Sequence, residues 1–117
     1  MSTHANITVR KKDGSDYTIY CHFDGDILLP ILQQEFDTQE KAEWLIDRGD
    51  ISYLGKYGKM VKWEEGENPF PDEETMDREY TKFYCNRTGE NWEHIQPRKG
   101  KINEESYHYY WDGESWI

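Results

Sequence analysis

Two runs of alternating residues around an Asp-Gly step constrain this chain more than anything else in it. In residues 6–11, Ile7 and Val9 face one way and Thr8 and Arg10 the other. Lys12-Asp13-Gly14-Ser15-Asp16 then reads as a turn. In residues 17–23, Tyr17, Ile19, Cys21 and Phe23 share one side, while Thr18, Tyr20 and His22 share the other. Strand side chains alternate between faces, so the pattern predicts an antiparallel hairpin with one apolar side.

After Gly25 the period changes. Leu28, Ile31, Leu32 and Phe36 recur at helical spacing, with Pro30 in the first turn, where its missing N–H costs nothing. Asp37 or Thr38 caps a second helix, Glu40 standing in capping-box position to Asp37. Ala42, Leu45 and Ile46 form its buried stripe, with Trp44 near the edge and Gly49 as terminator. Residues 50–58 read as a connector anchored by Ile51, Tyr53 and Leu54, and residues 60–63 as a short strand. Residues 64–80 carry Glu64, Glu65, Glu67, Asp72, Glu73, Glu74, Asp77 and Glu79 against Arg78. Pro69 and Pro71 hold the middle of that run extended, before a short helix near 72–78.

Residues 81–87 and 92–96 read as strands, separated by a turn at Thr88-Gly89-Glu90-Asn91. A basic turn follows at Arg98-Lys99-Gly100-Lys101. In the tail, Tyr107, Tyr109 and Trp111 alternate with His108 and Tyr110, and Asp112-Gly113 turns the chain so that Trp116-Ile117 pairs back. The sum is one α+β domain over residues 1–117: an antiparallel sheet of about five strands built from hairpins, with two or three short helices on one face. Aromatics make up 15% of the residues, so a core can form although hydrophobics total only 35%.

Charge limits the function classes. Asp plus Glu number 24 against 14 Lys plus Arg, a net −10, which repels phosphate backbones and anionic membranes. No run approaches the ~20 apolar residues of a membrane span, and two cysteines make no disulfide framework. These features predict a protein of the reducing cytoplasm that does not bind nucleic acid directly. The acidic run at 64–79 reads either as a solvated loop or as a docking surface for a basic protein.

Catalytic and cofactor chemistry is harder to assemble. Cys21, His22, Cys85, His94 and His108 are the candidate zinc ligands, but structural zinc is held by spaced pairs. Cys21 and His22 are strand neighbours and point to opposite faces, so Cys21 and Cys85 read as core residues. Thiol catalysis needs an exposed cysteine beside a histidine, leaving Cys85 with His94 or His108. A pairing of Asp24 with Glu90 arises easily by chance among so many acids, and Asp24 reads as a turn residue. Gly55-Lys56-Tyr57-Gly58-Lys59 matches no phosphate-binding pattern. The tail aromatics, beside Arg98, Lys99 and Lys101, read as core rather than as a base-stacking platform. No catalytic residue, metal or cofactor is expected.

Ile19-Tyr20-Cys21-His22-Phe23-Asp24-Gly25, Leu29-Pro30-Ile31-Leu32, residues 38–46 and Gly49-Asp50-Ile51-Ser52-Tyr53-Leu54-Gly55 together resemble a family of small proteins encoded by bacteriophages and prophages. Residues 83–90 and Tyr109-Tyr110-Trp111-Asp112-Gly113 carry the same likeness. The family often continues Asp-Gly with Tyr-Pro, where this chain has Asp26-Ile27. Its Tyr-Gly-Arg-Asp-Arg-Gly-Glu block stands here as Tyr84-Cys85-Asn86-Arg87-Thr88-Gly89-Glu90. With the charge, the resemblance implies an acidic accessory protein acting in the bacterial host. Glu64, Glu65, Glu67, Asp72, Glu73, Glu74, Asp77 and Glu79 would block the basic site of a CRISPR or restriction component. The alternative is a small-ligand or nucleotide sponge, with Tyr20, His22, Asp24, Asn86, Arg87 and Glu90 around its pocket.

Overall fold

A computed structural model of the chain describes residues 3–54, 81–86 and 91–117. The first hairpin forms as its alternation predicts. β1 (Ala5–Arg10) and β2 (Asp16–Cys21) pair antiparallel, with Ile7 opposite Ile19 and Thr8 opposite Thr18. Asp13 closes the turn by accepting from the Ser15 backbone N–H at 2.9 Å. Ala5, Ile7, Val9, Ile19 and Cys21 are fully buried on one face.

Two helices cover that face. α1 (Leu28–Glu35) contributes Leu28 and Leu32, and Phe36 just beyond it is fully buried. α2 (Gln39–Asp47) contributes Ala42, Leu45 and Ile46. Thr38 is its cap, accepting from the Lys41 N–H at 3.2 Å, so the capping-box pairing of Asp37 with Glu40 is not the one used. Gly49 ends the segment at φ 81°, where an added Cβ would lie 2.3 Å from the Ile95 carbonyl oxygen.

The fold class is α+β, and the sheet is antiparallel only in part. Its strands run in the order β4 (Lys82–Phe83), β3 (Ile51–Tyr53), β2, β1 and β6 (Tyr107–Trp111), with the two-residue β5 (Arg98–Lys99) also pairing β2. β3 runs parallel to β2 after the α1–α2 crossover, and β6 runs parallel to β1. Alternation marks β6 as a strand but does not choose its partner, and the free edge of β1 takes it. Beyond Asp112-Gly113 the chain returns as expected, with Trp111 bridging Trp116 and Tyr110 exchanging backbone bonds with Ile117 at 3.0 and 2.9 Å.

Local readings give way at five places. Residues 51–53, read as a connector, form β3, because a short strand buried on both sides shows no alternation. Residues 81–87, read as a strand, pair only over β4 (Lys82–Phe83) before a 3-10 turn at Tyr84–Asn86. Residues 92–96 form α3 (Trp92–Ile95), capped by Asn91, which accepts from the Glu93 N–H at 3.0 Å. One turn is too short for a helical period to register. Phe23 leaves the apolar face because β2 ends at Cys21, and it is 38% exposed. Tyr109 and Trp111 join the core, whereas Tyr107 at the start of β6 is exposed. The expectations for residues 60–63 and 64–80 lie outside the described residues.

Candidate functional site

The same alternation that fills the core sends Asn6, Thr8, Thr18 and Tyr20 to the opposite face of the sheet. Such a face is ordinarily solvated. Here residues 98–106 return across it as a strap. The Gly100 N–H donates to the Asp16 carbonyl at 2.7 Å, and the Ile102 N–H donates to Thr18 Oγ1 at 3.0 Å. Asn6 Oδ1 accepts from the backbone N–H groups of Glu104 and Glu105 at 2.8 and 3.1 Å. Between strap and sheet lies a cleft of about 230 Å³. Asn6, Thr18 and Tyr20 line it from the sheet, Asp50 and Arg98 from one side, and Ile102, Glu104 and Glu105 from the strap.

Asp50 is the most enclosed charge at the site, only 5% exposed. Its carboxylate accepts from both terminal nitrogens of Arg98, at 3.1 and 3.2 Å, and from the Tyr20 backbone N–H at 2.9 Å. Burial pushes the Asp50 carboxyl above its usual range, with the Arg98 and Tyr20 hydrogen bonds opposing it. Arg98 is pushed up in turn, chiefly by its bonds to Asp50. Both groups register the attraction, but on the buried carboxylate desolvation outweighs it.

Deeper on the same face, a chain of hydroxyls fixes a histidine. Thr18 donates its single O–H to the Gly100 carbonyl at 2.7 Å, so its 2.7 Å contact with Thr8 makes Thr8 the donor. Thr8 then has only lone pairs left for His108 Nε2 at 2.8 Å, which places the ring proton on Nε2. Burial, and after it the nearby Lys101, lower the His108 pKa and so favour the neutral ring.

Toward the open end of the hairpin, Tyr20 OH shares a 2.7 Å hydrogen bond with His22 Nδ1, and His22 stacks on His4 with ring centroids 4.7 Å apart. Burial, reinforced by Glu105, pushes the Tyr20 phenol up to about 12. Asp24 follows in the left-handed region at φ 58°, a conformation aspartate tolerates better than most residues. Gly25 is pinned against β1: its N–H donates to the Thr3 carbonyl at 2.8 Å, and a Cβ there would come within 2.7 Å of the His4 backbone.

The structure therefore brings Tyr20 and His22 together, with Asp24 at the left-handed residue that leads into Gly25. Of the residues expected around a ligand, Tyr20 lines the cleft described here. Asn86 ends the 3-10 turn after β4, and Arg87 and Glu90 lie outside the described residues. So do Glu64, Glu65, Glu67, Asp72, Glu73, Glu74, Asp77 and Glu79. Cys21 is buried in the core, its thiol directed at the Phe23 carbonyl at 3.3 Å. His94 is exposed on α3. Among the described residues, no three His, Cys, Asp or Glu side chains are grouped to hold a metal ion. Cys85 is at the surface, but partial burial of its thiol raises the pKa, away from the thiolate that thiol catalysis needs.

Asn6, Asp50, Arg98, Glu104 and Glu105 escaped the sequence reading. Asp50 offered one signal, an acid set directly between a helix-terminating glycine and the apolar run of residues 51–54. The other four are ordinary polar residues until the strap folds over the sheet.

Fold and site together define an α+β domain with a small polar cleft on the outer face of a mixed sheet. No helix among the described residues is long and apolar enough to cross a membrane. The chain matches no protein-family model, no curated protein and no solved structure.

Proposed function

We propose that the protein binds a small polar ligand in the cleft between the strap and the hairpin, as a sponge rather than as an enzyme. The observation that carries this reading is the cleft itself: about 230 Å³, walled by a carboxylate that is 5% exposed and already locked to its arginine. Buried polar groups held in fixed orientation give a site its selectivity. A thermal-shift screen of nucleotides, amino acids and small metabolites tests it. One chemical class should raise the melting temperature by several degrees, and Ile102→Trp, which fills the cleft from the strap, should abolish the shift. Stabilisation by nothing at millimolar concentration, or by a compound that Ile102→Trp leaves untouched, ends the reading.

A second reading rests on charge. With a net −10 and eight acids between Glu64 and Glu79, the protein suits a basic partner. In this reading a phage-encoded protein in the bacterial cytoplasm occupies a host protein's nucleic-acid site, as in a CRISPR or restriction component, and inhibits it sterically. A pull-down from host lysate at low salt should retain a basic protein, and neutralising the eight acids should release it. Retention of nothing, or retention indifferent to those acids, counts against this reading.

A further inference from the structure

Asn6 is 6% exposed, yet only half of its amide is used. Its Oδ1 takes both strap N–H groups, so the amide cannot be turned round without facing donors to donors. Its Nδ2, with two N–H donors, meets no acceptor among the described residues, and Asn6 lines the cleft. That nitrogen is open to solvent rather than sealed in, so its two donors give the cleft a hydrogen-bonding edge that a ligand can meet. Arg98 adds to it. Its terminal nitrogens are engaged by Asp50 and by the His94 carbonyl, and the remaining guanidinium N–H groups stay available beside the cleft.

These donors call for an oxygen acceptor, but the balance of charge excludes a simple anion. Arg98 stands against Asp50, Glu104 and Glu105 in the lining, which leaves an excess of negative charge. The Glu104 carboxylate lies near enough to raise the Arg98 pKa, and that of Glu105 near enough to raise Tyr20, so both act on the cleft. A ligand that satisfies the donors and also neutralises the strap carries an acceptor oxygen and a cation on one small frame.

We infer that the cleft takes a free α-amino acid or a close analogue, its carboxylate meeting Asn6 Nδ2 and Arg98 and its ammonium meeting Glu104 and Glu105. This deepens the ligand-binding reading and rests on it. Asn6→Asp is the informative change. One carboxylate oxygen still accepts the strap N–H groups, while the other replaces two donors with an acceptor and repels the ligand carboxylate.

The test is calorimetric titration and amide-resolved NMR with the free amino acids, against acetate, methylammonium and nucleoside monophosphates as controls. At least one amino acid should bind at least tenfold more tightly than either fragment, with shifts at Asn6 and the strap amides. Asn6→Asp should weaken it at least tenfold with the strap amides still protected. If that variant unfolds, the Glu104→Gln, Glu105→Gln double variant should weaken amino-acid binding while sparing any acetate binding. Amino-acid binding that survives these substitutions overturns the inference. Tight binding of a nucleotide or a simple carboxylate, lost in Ile102→Trp, overturns the ligand class but keeps the site. Silence from every compound removes both.

Discussion

Arg98 reaches Asp50 through both terminal nitrogens, at 3.1 and 3.2 Å, joining the start of the strap to the residue that opens β3. The two partners are unequally enclosed: the Asp50 side chain is 7% exposed and that of Arg98 44%. The pair therefore behaves as a buried carboxylate satisfied from outside. Asp50 also accepts from the Tyr20 N–H, so one carboxylate ties hairpin, strap and inner strand together.

Arg98→Met should destabilise the fold by about 3 kcal/mol at neutral pH, the low end for breaking a buried pair because Arg98 is partly exposed. The loss should shrink in acid. Burial already raises the Asp50 pKa, and removing Arg98 raises it further. A carboxyl with a raised folded-state pKa favours the fold most below its unfolded value and loses that advantage as pH rises through the folded value. Urea denaturation at pH 4 and pH 7 checks this, and an equal loss at both would contradict it.

Thr18→Val should cost about 2–3 kcal/mol, since it leaves the Gly100 carbonyl and the Ile102 N–H without their partner. Hydrogen exchange at Ile102, Glu104 and Glu105 should accelerate more than exchange in β1. Uniform acceleration would mean that the strap is not held through this hydroxyl.

Alkaline stability should fall from about pH 10 toward pH 12. The folded state keeps the Tyr20 proton to about 12, while the unfolded chain releases it near 10, so across that window the folded state holds more protons and rising pH favours unfolding. Tyr20→Phe should flatten this limb in part, because Tyr109 and Tyr110 are raised as well. Melting curves at pH 9 to 11.5 read the difference, and identical limbs would contradict it.

Trp116→Ala should cost about 3–5 kcal/mol. The indole is 4% exposed, packs against Trp111, and donates to the Phe36 carbonyl at 2.8 Å, closing the end of α1. A stability change below 1 kcal/mol would show that the C-terminal return is dispensable.

Much of the framework is legible in the chain because it is local. Asp-Gly turns, period-two runs and the apolar stripes of α1 and α2 each depend on near neighbours in sequence. Partner choice is not. β1 carries the same alternation whether β6 lies beside it parallel or antiparallel, and the one-turn α3 is too brief to leave a pattern.

The cleft was legible only at Tyr20. Asn6 lies 98 residues before the Glu104 N–H that it accepts, and Asp50 lies 48 residues before Arg98. Nothing local distinguishes these polar residues from their solvated neighbours.

By itself the sequence determined the α+β class, the first hairpin and the two covering helices, since short-range periodicity and turn chemistry suffice for those. Tertiary structure alone decided the parallel pairings and the cleft. They depend on where the strap crosses the sheet, and there enclosure turns ordinary polar side chains into fixed donors and acceptors.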